Sequence, residues 1–209
     1  MVSNAPLILL ISLTVFFGAQ ILSTPVLAQE TACDSKNELS PSLQEKEKLL
    51  IQTLQDQEIR ETSPEKVIEA IKQVGNLGRL RFNCSKKPTV SNEAIIALTN
   101  LLNFKREQKA QDDSEAIVSF HPIPPEGFYP AVDALMNVGD GSLPALIEVI
   151  KSEEGYSQKS HNALYVIKFF YRSKRQECFD YLILEASKAE SEEGRQRLLL
   201  ATTKLPIQI

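Results

Sequence analysis

Past Pro41 the apolar positions recur every three or four residues, a spacing that predicts helix almost throughout. Ser42 and Glu45 have capping-box spacing ahead of Leu49, Leu50, Ile51 and Leu54, so a first helix is expected from about Ser42 to Arg60. Ser63 is placed to cap the next helix. Pro64 stands in its first turn, where a missing N–H costs nothing, and Val67, Ile68, Ile71 and Val74 form a buried stripe that ends at Gly75. A loop, NLGRLRFNCSKKP, is expected to follow. From Ser91 onward Ile95, Leu98, Leu101 and Leu102 share one face of a partner helix. A second pair begins with Pro130 in a first turn, ends at Gly139, and restarts with Ser142 as the cap of LPALIEVI, where Leu143, Leu146, Ile147 and Ile150 face inward. SHNALYVIKFFYRS and RQECFDYLILEASKA read as a third pair, with Tyr165, Phe169, Phe170, Tyr171, Phe179 and Tyr181 clustered. A last helix runs from about Glu192 to Lys204, ahead of Pro206. Strand alternation is confined to one short candidate, Ala116 to Phe120.

One pattern returns. EAIKQVG, Glu69 to Gly75, reappears 64 residues on as DALMNVG, Asp133 to Gly139. Ala131, Ala134, Leu135 and Val138 map in turn onto Ala163, Val166, Ile167 and Phe170, 32 positions further along. Each copy is too short to bury its stripe alone, so stacking on neighbours is the physical solution. The shared glycine falls where a helix C-terminus favours a left-handed residue. In YPAVDALMNVGDGSLPALIEVI an Ala-x-x-Ala-Leu helix, Ala131 to Leu135, is followed by Gly139 and by Leu143, Pro144, Leu146 and Ile147. On these residues the chain resembles HEAT-type helical-repeat proteins, over about Pro64 to Leu205. The repeat is shorter than the roughly 40–47 residues usual for such units. The resemblance implies an all-α fold, an α-solenoid or superhelix of antiparallel helix pairs, and a protein-binding scaffold rather than a defined activity.

The chain before the helices is of another kind. Met1 to Ala28 carry no Asp, Glu, Lys or Arg, and Leu7 to Phe17 are almost wholly apolar. Val26 and Ala28 occupy the two small-residue positions a signal peptidase reads before Gln29. Residues 1–28 are therefore expected to be a signal peptide, 29–41 a flexible N-terminal segment, and 42–209 a HEAT-like helical-repeat domain, with export to a periplasmic or extracellular space. The alternative is a retained anchor from Leu7 to Leu27, against which Gln20 and Pro25 argue. After cleavage no membrane association is expected.

Three cysteines in an exported chain allow one disulfide and leave one thiol over. Cys33 and Cys84 lie in polar, loop-like stretches and are the preferred pair, whereas Cys178 sits in an apolar helical pattern where a thiol acts as a small hydrophobe. Closing a loop of about 50 residues is worth about 4 kcal/mol in the chain-entropy picture. Spacing does not fix connectivity, and three reduced cysteines remain the alternative.

Charge narrows the function classes. All 23 basic and 27 acidic residues follow the leader, for a formal charge of −4, which argues against nucleic acid as a partner. The clusters Arg79, Arg81, Lys86, Lys87 and Arg172, Lys174, Arg175 read as solvated loop residues rather than a phosphate track. His121 and His161 stand 40 residues apart, without zinc-ligand neighbours, so neither a metal nor a cofactor is expected. GDGSL, Gly139 to Leu143, is not a nucleophile elbow, and the carboxylates Asp112, Asp113, Glu192 and Glu193 read as solvated surface. No catalytic residue is assigned.

One segment exceeds what a helical array needs. Lys105 to Phe128 is longer than the roughly 12–15 residues beyond which unstructured connections become uncommon. Phe120, His121, Ile123, Phe128 and Tyr129 either seal the gap between the first two helix pairs or present a stiff partner-binding surface. The expected function is an exported scaffold or adaptor that holds another protein on the concave face of a short solenoid. An accessory subunit or lyase-like helper of an enzyme is the alternative that the family resemblance suggests, and a freestanding enzyme comes third.

Overall fold

The computed structural model describes residues 41–84, 90–106, 128–154 and 157–205. Every regular element among them is helical. The leader and the segment carrying Ala116 to Phe120 lie outside the described residues.

Helices form where the apolar spacing places them, and their ends are where the chain departs from expectation. The first, α1 (Pro41–Gln55), stops before Asp56, whose carboxylate accepts the Ile59 N–H at 3.0 Å. The helix restarts as α2 (Gln57–Thr62), so the single helix expected from Ser42 to Arg60 is two. An aspartate offers the backbone a local acceptor, which favours a cap over a helix interior.

A larger correction concerns α3 (Pro64–Cys84) and α5 (Pro130–Val138). Gly75 does not end its helix, which continues through Leu77 and Gly78 to Cys84. Glycines inside a helix cost about 1 kcal/mol each relative to alanine. Here they permit contact: a Cβ on Gly75 would stand 2.9 Å from the Ala134 Cα, and one on Gly78 2.8 Å from the Val138 Cα. The two backbones approach as closely as side-chain-free positions allow. Because Gly75 meets Ala134 and Gly78 meets Val138, both helices run in the same direction across the contact. The two copies of the repeated pattern thus belong to helices packed directly on each other. Their glycines differ in role. Gly139 terminates α5 with φ 94°, a backbone region that L side chains rarely adopt.

Between these two helices in sequence comes α4 (Asn92–Asn100), capped by the Ser91 hydroxyl accepting the Ala94 N–H at 3.2 Å. After Gly139 a single 3-10 turn, Asp140–Ser142, leads into α6 (Leu143–Ser152). Ser142 does not cap α6 as expected. The 3-10 turn already holds its backbone in helical geometry, and the buried hydroxyl donates back to the Gly139 carbonyl at 2.8 Å. Serines 157 and 191 do cap their helices, α7 (Gln158–Phe170) and α9 (Glu192–Thr202), each accepting an N–H at 3.0 Å. Between those two lies α8 (Arg175–Ser187).

Helices α3, α5 and α7 are successive neighbours, while α1, α4, α6 and α9 make a second succession, cross-connected where α1 meets α3, α4 meets α5 and α6 meets α7. One continuous core joins them, from Leu54 to Ala201. Most of the expected stripe positions are buried: Val67, Ile68, Ile71 and Val74 on α3, Ile95 and Leu98 on α4 with Leu101 and Leu102 just beyond it, Leu146, Ile147 and Ile150 on α6, and Ala163, Val166 and Ile167 on α7; Leu143 and Phe170 are half-buried, and Leu49 of α1 is exposed. The expected third pair is rearranged. α8 packs chiefly on α9 and only lightly on α7, its buried Cys178, Leu182 and Ala186 joining the same core as Leu198 and Ala201 of α9.

Three side chains from distant parts of the chain tie down helix ends. The buried Glu47 carboxylate accepts the Ser91 N–H at 2.6 Å at the start of α4. Past the end of the same helix, the buried Asn162 amide donates to the Leu102 carbonyl at 2.6 Å. The Arg197 guanidinium donates to the Lys151 carbonyl at 2.6 Å in the last turn of α6. Each satisfies a backbone group that a helix end leaves open, with an anion at an N-terminus and a cation at a C-terminus.

Candidate functional site: the α4–α6 groove

The tie points fix α4 and α6 side by side, and between them opens a groove of about 510 Å³. Its α4 wall is the line Asn92, Ile95, Ile96 and Thr99, spaced i, i+3, i+4, i+7. Its α6 wall is Pro144, Ala145, Glu148 and Val149, spaced i, i+1, i+4, i+5. Ile95 and Val149 belong to the core and form the base, whereas Ile96 remains 52% exposed. That residue follows immediately after the buried stripe position, so its side chain points about 100° away from Ile95. An apolar base with a half-exposed isoleucine is bordered by amide, hydroxyl and carboxylate groups.

The rim charges are already spoken for. Glu148 pairs with Lys151 at 2.7 Å, and Lys159 with Glu153 at 3.0 Å. The hydrogen bond from Lys159, aided by one from Ser157, holds the Glu153 carboxyl below its ordinary range against a smaller opposing effect of burial. These are surface pairs, worth about 0–1 kcal/mol each. The groove therefore offers shape and apolar contact with an electrically balanced border. Nothing in it combines a nucleophile, a base and an oxyanion donor as a reacting centre does. Among the described residues no group of three or more His, Cys, Asp or Glu is gathered to hold a metal ion, and no helix is long and apolar enough to cross a membrane.

The residues expected to meet a partner are only partly placed. Phe128 and Tyr129 are half-buried at the entry to α5, where Tyr129 packs against the core and the Arg106 N–H donates to the Phe128 carbonyl at 2.8 Å. That bond closes the two ends of the long connection onto each other. Phe120, His121 and Ile123 lie outside the described residues, as does Cys33; Cys84 ends α3, with its side chain likewise outside them. Cys178 is a free, buried thiol whose pKa burial pushes up to about 11, so it stays protonated near neutrality. Sequence reading passed over the groove itself. Its available signal was Ile96, an apolar residue next to the stripe rather than on it.

Comparison with protein-family models, with curated proteins and with solved structures gives no match for this chain.

Proposed function

We propose that this protein is an exported protein-binding scaffold, a short HEAT-like solenoid whose α4–α6 groove seats a segment of another protein. The observation that carries the reading is the half-exposed Ile96 over an apolar base between two helices, α4 tied at both ends and α6 at its last turn. A preorganised groove of this kind binds without an ordering cost of its own, and its exposed isoleucine offers an anchor for an apolar partner side chain. The solenoid reading draws support from the two successions of neighbouring helices, α3, α5, α7 and α1, α4, α6, α9, in which helices two or three apart in sequence stack. Export rests on the apolar leader and the small residues before Gln29.

A photo-crosslinking amino acid at position 96 tests the site. The reading expects adducts with one protein from the exported fraction, absent when the probe sits at position 179, and lost on adding an Ala145→Glu substitution that leaves the melting temperature unchanged. Equal adducts from both positions, or none, defeat it. N-terminal sequencing of the exported chain should begin at Gln29.

A further inference from the structure

A second surface, sharing no residue with the groove, has the opposite electrical character. Along α7 the residues His161, Tyr165, Lys168 and Arg172 are spaced i, i+4, i+7, i+11, one line running along the helix and into the turn that follows it. At 1.5 Å per residue the line is about 16 Å long. Two hollows open along it and share Lys168. One, of about 410 Å³, is bordered by His161, Leu164, Tyr165, Lys168 and Lys204. The other, of about 210 Å³, is bordered by Lys168, Tyr171, Arg172, Arg175, Cys178 and Leu205.

Three of the cations here form no ion pair among the described residues. Lys151, Lys159, Lys174, Lys188 and Arg195 each have a carboxylate partner nearby in sequence. Lys168, Arg172 and Arg175 have no such pair among the described residues; Arg172 instead lies 5.1 Å above the centre of the Phe169 ring. The carboxylates acting on Tyr171 are Glu177, Asp140 and Glu185. Two of them are already engaged, Glu177 by Lys174 and Glu185 by Lys188. In a chain of net charge −4 this is a local surplus of the other sign.

We propose that this trough docks an acidic, aromatic-bearing segment of a partner protein in extended form. The cationic border selects carboxylates, and the apolar lining of the two hollows, Leu164 in one and Leu205 in the other beside the Tyr171 ring stacked on Tyr181, accepts apolar or aromatic side chains. A strand rises about 3.3 Å per residue, so about five residues of partner cover the line. With its few cations on a net acidic chain, the trough is a poor match for nucleic acid, which needs a broad basic face. This inference goes beyond the groove reading and stands or falls separately from it.

Fluorescence anisotropy with the full chain tests it, using a fluorescein-labelled hexapeptide of alternating Glu and Phe. The expected result is saturable binding, weakened at least about tenfold at about 0.5 M salt and by the triple variant K168Q/R172Q/R175Q, and unchanged in Ala145→Glu. The exposed pair R172Q/R175Q is the second variant; at a wild-type melting temperature it should weaken binding several-fold even if the triple variant unfolds. Absence of saturable binding overturns the proposal. So does equal binding of the Gln–Phe peptide, wild-type binding by R172Q/R175Q, or tighter binding of a deoxythymidine hexamer or of anionic phosphatidylglycerol vesicles than of the acidic peptide.

Discussion

The α3–α5 contact and the α8–α9 hairpin both join neighbouring helices, and they are built on opposite principles. At the first, Gly75 and Gly78 bring one backbone against Ala134 and Val138 of the other, and the surrounding Ile71, Val74, Leu135 and Val138 are excluded from solvent. At the second, only a narrow line is buried, Cys178, Leu182 and Ala186 against Leu198 and Ala201, while Phe179, Ile183, Leu184, Leu199 and Leu200 stay exposed. Apolar residues are abundant in both regions. What differs is the set of neighbours: α3 packs on α1, α2 and α5, and α5 on α3, α4 and α7, whereas α8 packs chiefly on α9 at the last described end. Burial, not apolar content, carries the stability.

The sharpest way to break this contrast is by truncation. Ile71→Ala should cost about 2–5 kcal/mol in urea unfolding, the range for emptying a packed site, whereas Leu184→Ala should stay within about 0.5 kcal/mol of wild type. Similar losses at both positions would mean that the described end is covered after all. Next in size is Gly75→Val. A methyl-bearing Cβ 2.9 Å from the Ala134 Cα cannot be accommodated by turning a side chain, so the helices must part. Overpacking of this kind costs about 1–3 kcal/mol, more than the few tenths by which valine betters glycine as a helix former. A Gly75→Val protein with an unshifted melting temperature would refute the close crossing.

Asn162→Leu probes the ties rather than the packing. It leaves the Leu102 carbonyl without its donor and should cost about 1–3 kcal/mol, with amide exchange accelerated around the end of α4. Unaltered exchange at Leu101 and Leu102 would show that the bond does not hold that end.

The smallest effect concerns pH at the loose end. Burial raises the Cys178 pKa from its ordinary 9.0 to about 11, and that of Tyr181 from 10.0 to about 12, with Glu185 and Tyr171 adding to the latter. The folded chain thus holds both protons more firmly than the unfolded chain. Their contribution to stability is whole below pH 9.0 and is lost as pH rises through about 11 for Cys178, and between 10.0 and about 12 for Tyr181. Cys178→Ala should therefore lose less urea midpoint than wild type between pH 9 and 11. Parallel curves for the two proteins would assign the alkaline loss elsewhere.

The same contrast explains what could be read ahead of the structure. The stripe on α3, the stripe on α7 and the serine cap of α4 are local facts: spacing, and a hydroxyl next to an apolar run, are enough to identify them. Gly75 was misplaced because an isolated glycine after an apolar stripe looks the same whether it ends a helix or admits another helix. Only Ala134 on the facing helix distinguishes the two. Asp56 was missed for the converse reason, since a capping aspartate inside a continuous polar and apolar rhythm gives no change of period. The groove was illegible because its walls are placed by residues from other parts of the chain, α4 by Glu47 and Asn162 and α6 by Arg197. The line of His161, Tyr165, Lys168 and Arg172 was passed over, with Arg172 read only as a solvated loop residue, because its charge balance depended on which lysines found carboxylates.

The sequence by itself determined that the described chain is helical, which face of most helices turns inward, and that α4 follows Ser91. Those are properties of a few consecutive residues, set by the 3.6-residue period and by the open N–H groups of a helix start. The tertiary structure alone decided that α3 meets α5, that α8 turns to α9, and that one glycine is a contact while the other is a stop. The reason lies in magnitude: the local preference at a glycine is about 1 kcal/mol, and the burial gained by bringing two helix faces together exceeds it several-fold.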